Sequence, residues 1–135
     1  MTFLLDTNAI SDLMREDART LAHLATISAT DRVVICTIVR GEILHGLSRL
    51  PAGKRKAELE AKASGLLAVI PCEAIAMSAA EHYARIKLIR QKLGLSIDEN
   101  DLWIAATAMD LNADLVSRDG DVARIPGLRV HDWTI

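Results

Sequence analysis

The chain has 135 residues, 50% of them hydrophobic but only 3% aromatic, with 16 basic against 18 acidic residues and a net charge of −2. This length fits one compact domain, residues 1–135, able to bury roughly 70% of its unfolded surface without a disulfide or structural metal. No apolar run reaches the roughly 18 residues of a membrane span, and the first one, "MTFLL", stops at Asp6, so neither an anchor nor a signal peptide is expected.

"TFLLD" (2–6) reads as a short buried strand ending at Asp6. "TNAISDLM" follows as a helix with Thr7 or Asn8 at its cap, and "ARTLAHLATIS" (18–28) is a second helix. "RVVIC" (32–36) is a β-branched strand, and "TIVRGEILHGLSRL" a helix opened by Thr37. In "PAGKRKAELEAKASGLL" the Pro and Gly mark a turn and the rest is a charged helix, and "AVIPC" is a weak strand. "AIAMSAAEHYARIKLIRQKLG" reads as one long amphipathic helix, with Ile75, Ala79, Tyr83, Ile86 and Leu93 on one side and Gly94 as its stop. A helix over 99–111, the strand "DLVS" (114–117) and a last short strand in "GLRVHDW" complete the chain. The strands are continuously apolar and alternate with helices. That pattern predicts an α/β fold in which a mostly parallel sheet of about five short strands is flanked by helices.

The two cysteines, Cys36 and Cys72, sit beside apolar runs and read as buried free thiols, consistent with a reducing cytoplasm. His23, His45, His82 and His131 form no ligand pattern and read as surface or partly buried residues, and no GxGxxG or P-loop is present.

In open parallel sheets, ligands bind outside the carboxyl ends of the strands. Four acids are expected at that edge. Asp6 ends the first strand. Glu42 lies beside the stripe of Val39, Ile43 and Leu47 and should face inward. Asp101 starts the helix before the fourth strand, and Asp119 follows that strand. Each also has a plain structural reading: a strand-end turn, a solvated helix face, a helix cap and an Asp-Gly turn. In "IDENDLWIAA", Asp98 is an N-cap candidate and Asp101, three residues on, resembles the reciprocal partner of a capping box. A metal site explains all four acids together. Close carboxylates repel unless a cation sits among them, and oxygen donors without Cys or His select Mg²⁺ or Mn²⁺ over Zn²⁺. Such an ion suits phosphodiester hydrolysis.

The stretches "LLDTNAISDL", "RGEILHGL", "NDLWIAATA" and "LVSRDGDVARIPGLRVHDW" together resemble a PIN-domain ribonuclease, and within that family a toxin of the VapC type. The resemblance spans the chain. It implies the PIN-like three-layer fold and a metal-dependent endoribonuclease that cleaves RNA, is inhibited by a cognate antitoxin and forms a homodimer. It places the acidic quartet on Asp6, Glu42, Asp101 and Asp119, the small polar residue on Thr7 or Asn8, and the supporting hydroxyl on Ser117. Many relatives carry Asn at the last acidic site, so Asp119 departs from a common pattern. Asp98 is an extra acid that either reaches the metal or only caps the helix.

A net charge of −2 looks wrong for an RNA binder. Setting aside the quartet and Asp98 leaves 13 acids against 16 bases, so the rest of the chain carries +3. Arg40, Arg49, Arg118 and Arg124 are the candidate phosphate contacts. The apolar residues of 7–14 and 37–50 exceed what one small core needs, and predict a docking surface for a second copy and an antitoxin helix. The rival readings are a phospho-acceptor receiver domain, a haloacid-dehalogenase-like phosphatase and a catalytically silent PIN fold. The receiver lacks its Lys at a later strand end, and the phosphatase lacks its second Asp, since Asn8 stands there.

Overall fold

The computed structural model describes all residues, 1–135. Twelve elements follow one another: β1 (Thr2–Leu5), α1 (Thr7–Met14), α2 (Ala18–Ala25), β2 (Arg32–Cys36), α3 (Thr37–Ser48), α4 (Lys54–Val69), β3 (Cys72–Glu73), α5 (Ala79–Lys92), α6 (Glu99–Asp110), β4 (Asp114–Val116), α7 (Gly120–Ala123) and β5 (Val130–His131). The strands form one five-stranded sheet in the order β3-β2-β1-β4-β5. Every pairing is parallel, with Leu4 opposite Val34 on one side and Leu115 on the other. The expected mostly parallel sheet is therefore wholly parallel. Its order also differs from the 2-1-3-4-5 of flavodoxin-like folds, which removes the receiver-domain reading.

β1 and β4 are buried on both faces, as their continuous apolar runs require. Leu4, Leu5, Val34, Ile35, Leu115 and Val116 join Ile10, Val39, Ile43, Leu102 and Ile104 from the helices in one core. α1, α3 and α4 pack together, and α5 packs on α6. Most of the expected apolar surplus on 7–14 and 37–50 goes into this core. Of the large apolar side chains there, Leu44 is the exposed one, at 49%.

Other expectations shift. The "AV" of "AVIPC" belongs to the end of α4, because unbroken helical hydrogen bonding carries on until Ile70 turns extended before Pro71. The long helix starts at Ala79, so Ile75 lies outside it, and Leu93 is 64% exposed as its C-cap. Gly94, at φ +69, ends it as expected. Cys36 is buried but Cys72 is exposed, because β3 is an edge strand, and both thiols are free. No helix is long and apolar enough to cross a membrane.

Candidate functional site

The chain runs from β1 outward to β2 and β3, then returns to place β4 on the other side of β1. That reversal puts a topological switch point between β1 and β4, where the carboxyl ends of two diverging strands leave a crevice. Asp6 follows β1 and Ser117 follows β4, so both flank it.

Asp6 is 7% exposed. Its N–H donates to the Val116 carbonyl at 3.1 Å, and its Oδ1 accepts the Ala9 N–H at 2.8 Å. The cap of α1 is thus Asp6 itself, and Thr7, expected as a cap together with Asn8, is already helical. This frees the Thr7 hydroxyl, which donates to Glu42 Oε1 at 2.6 Å. Glu42 is half-buried next to Ile43 and faces α1, as its place beside the apolar stripe predicted. Asn8 is exposed, and Thr7 is the polar neighbour that joins the acids.

On the β4 side, Ser117 is buried and its Oγ accepts the Asp119 N–H at 3.1 Å. Asp119 Oδ1 accepts the Asp121 N–H at 2.9 Å and so caps α7. Burial raises the pKa of Asp6, while the Ala9 N–H, the Ser117 hydroxyl and the Arg118 charge pull it back.

"IDENDLWIAA" divides its two roles between two residues. Asp98 is the N-cap, accepting from the N–H groups of Asn100 at 3.1 Å and Asp101 at 3.4 Å. Asp101 does not return the bond that would make a capping box. Its half-buried carboxyl is pushed up to about 6, first by burial and then by the negative charges of Asp98, Asp119, Glu42 and Asp6. Acids from four separate parts of the chain therefore share one electrostatic field.

The donor set is all oxygen and anionic, which fits a hard divalent cation. The expected four-carboxylate cage is not drawn together, however: no three Asp, Glu, His or Cys side chains stand close enough to hold one ion jointly. Asp6, Glu42 and Asp119 are each engaged separately, Asp6 and Asp119 as helix caps and Glu42 by the Thr7 hydroxyl.

The candidate phosphate contacts scatter. Arg118 Nε pairs with Asp12 at 3.2 Å, and Arg124 ends α7. Arg40 lines a groove between α3 and α4 that includes none of Asp6, Glu42, Asp98, Asp101 and Asp119. Arg49 lines a larger cleft that does include Thr7 and Glu42.

One residue of the site's support escapes the sequence reading. Arg90 is 3% exposed, and its guanidinium donates to the Ser96 carbonyl at 2.9 Å and the Asp121 carbonyl at 3.2 Å. It ties the loop before Asp98 to the helix after Asp119, while its Nε has no partner. The available signal is its spacing from buried Ile86 by one helical turn, but an arginine in a highly charged helix reads as solvated.

Comparison with known proteins agrees with the fold. The PIN domain family matches residues 3–128. Ribonuclease VapC1 of Haemophilus influenzae is 32% identical, with 99% of each chain covered. Ribonuclease VapC2 of Rickettsia felis is 26% identical, with 98% of each covered. Among solved structures, VapBC2 from Rickettsia felis bound to a promoter DNA fragment superposes with a TM-score of 0.89 at 25% identity, covering 98% of this chain and 99% of that one. VapBC-1 from nontypeable Haemophilus influenzae gives 0.86 at 28% identity, covering 100% of both.

Proposed function

The chain belongs to the PIN-domain family, and from that premise we propose that it is a metal-dependent endoribonuclease, the toxin of a toxin–antitoxin pair, acting over residues 1–135 as one domain. The observation that carries this is the Asp101 carboxyl, held near 6 by burial and by four acidic neighbours without a basic partner. Acids from four parts of the chain that raise this carboxyl, with no base to offset them, support a reading in which an external cation completes the site.

Asp6, Asp101, Asp119 and Glu42 are the residues that would hold Mg²⁺ or Mn²⁺, with Asp98 at the margin as cap and secondary acid. When bound, such an ion activates water, orients the phosphate and offsets charge on the leaving oxygen. The chain's own residues do the rest. The Ala9 N–H fixes the Asp6 carboxylate, and the Thr7 hydroxyl fixes one oxygen of Glu42 and leaves the other free. Ser117 holds Asp119 by its N–H. Arg90 keeps the Asp98–Asp101 turn in register with Asp119. Arg118 and Arg124, close to Asp119 in the chain, serve as phosphate contacts, with Arg40 a more remote one.

The same reading supplies the partners. Relatives in solved VapBC complexes support a cognate antitoxin as inhibitor. Exposed Leu88 and Leu93 offer apolar surface for a homodimer, which sedimentation at micromolar concentration would detect. A cytoplasmic site of action follows from an RNA substrate. The test is cleavage of RNA with Mg²⁺ or Mn²⁺, beside Asp6→Asn. Cleavage that needs the metal and Asp6 is expected, and metal-independent cleavage, or none by the wild type, would reject the proposal.

A further inference from the structure

A cleft of about 880 Å³ lies among α1, α3 and α4, and Thr7, Glu42 and Asn100 are part of its lining. Three arginines line it. Arg15 is the C-cap of α1, Arg49 the C-cap of α3, and Arg55 stands in the first turn of α4. The acids near them in the chain are engaged elsewhere: Glu16 with Lys62, Glu58 with Lys54, Glu60 with Lys56, Asp12 with Arg118, and Asp17 as the cap of α2. The three guanidiniums are left without an ion-pair partner, and Glu42 is the single acid of the whole lining.

Arg15 and Arg49 each gain from the negative end of their helix. Arg55 gains nothing of the kind. With Lys54 and Lys56 it puts three cations in a first turn that has no acid and no side-chain cap, against the helix dipole. A local rule broken without local compensation points to a role outside the helix.

We propose that this cleft is the path of the RNA strand beyond the acidic site, with Arg15, Arg49 and Arg55 each holding a backbone phosphate. The inference rests on the ribonuclease reading and extends it. A strand whose reacting phosphate lies at the acids must continue over a neighbouring surface. This cleft shares Glu42 and Thr7 with the acidic site and carries the right charge. The forked donors of arginine match phosphate oxygens. An acidic protein segment is the other class of occupant, and it enters as an outcome of the test.

The test is binding of a labelled single-stranded RNA, with metal chelated so that it stays intact, from roughly 50 to 200 mM salt. Each phosphate contact on a single strand contributes about 0.7 to the slope of log affinity against log salt, so the triple variant Arg15→Gln/Arg49→Gln/Arg55→Gln should lower that slope by about 2. The triple Arg→Lys variant, which keeps the charge, should restore most of it, and Arg85→Gln/Lys92→Gln on α5 should leave it unchanged. Circular dichroism and melting that match the wild type establish that the variants fold. A wild-type slope in the Gln triple overturns the proposal. So does a Gln triple that loses only its antitoxin. If that triple still cleaves RNA while keeping the wild-type slope, the ribonuclease reading stands and this one falls. If the wild type neither binds nor cleaves RNA, both fall.

Discussion

Asp6, just past the end of β1, and Asp114, at the start of neighbouring β4, are both buried, and the chain treats them in opposite ways. Asp114 opens β4 at the amino edge and is 1% exposed. Arg129 Nε donates to its Oδ1 and His131 Nε2 lies 2.6 Å from its Oδ2. Burial would raise this carboxyl, yet Arg129 and His131 together outweigh burial and hold it below its ordinary value. Asp6 leaves β1 at the carboxyl edge. Burial lifts its carboxyl, the Ala9 N–H, the Ser117 hydroxyl and the Arg118 charge offset only part of that, and it ends above its ordinary value. At one edge the protein completes a charge and gains stability, fastening β5 to β4. At the other it leaves charges incomplete, and that incompleteness is what a cation and a phosphate can use. On the proposed function, the two edges separate what holds the fold from what performs the chemistry.

The largest expected effect breaks the comparison at the carboxyl edge. Asp6→Asn or Asp101→Asn should lower RNA cleavage by at least about 100-fold, the scale of losing a group that supports developing charge. Melting temperature should hold or rise, since a repelling charge is gone. Induced expression of Asp6→Asn without antitoxin should not arrest growth, whereas wild type should. A well-folded Asp6→Asn protein as toxic as wild type would end the catalytic assignment.

Asp114→Asn should do the reverse. It keeps an acceptor but loses the charge facing Arg129 and His131, which should cost about 1–3 kcal/mol of stability, measurable by urea unfolding. Cleavage per folded molecule should stay near wild type. Loss of activity at full stability would mean that the amino edge takes part in the chemistry.

The pH dependence sharpens the contrast, because the two edges contribute with opposite sign. Asp101 has its folded pKa raised from 3.8 to about 6, so between those values the folded chain holds a proton that the unfolded chain has released. Its contribution to metal-free stability therefore falls as pH rises from about 4 to about 6. Asp114 has its folded pKa lowered, so its contribution is present above the ordinary carboxylate range and is lost as pH drops through the depressed value. Melting temperature against pH in chelator should rise less steeply, or fall, across that window in the wild type relative to Asp101→Asn. Identical profiles would show that Asp101 is not strained.

The smallest effect separates the two acids of "IDENDLWIAA". Asn caps as well as Asp, so Asp98→Asn should change stability by less than about 0.5 kcal/mol and reduce cleavage far less than Asp101→Asn does. Equal losses from both would make Asp98 a full member of the site.

Much of this was legible in the chain because local signals and global fold agree. The apolar residues of "RVVIC" and "DLV" run without polar alternation, and Val34, Ile35, Cys36, Leu115 and Val116 are buried in parallel strands. Parallel topology turns strand ends into a place, which makes Asp6 and Asp119 readable as candidates at one edge, and both act on the Asp101 carboxyl. What stayed hidden depends on contacts between distant residues. Asp6 as a cap became visible only once β1 was seen to end at Leu5. The burial of Arg90 depends on carbonyls at Ser96 and Asp121, which no helical period reveals. The engagement of Asp114 needs β5 beside β4. The four-residue α7 follows from the Asp119 cap and is too short for any period to show.

The central claim is that the carboxyl edge is incomplete without a cation. Thermal unfolding with and without Mn²⁺, on wild type and Asp101→Asn side by side, tests it most directly, since stabilisation by a ligand follows its affinity. Mn²⁺ should raise the melting temperature of the wild type and raise that of Asp101→Asn much less. An equal rise in both proteins, or none in either, would contradict the claim.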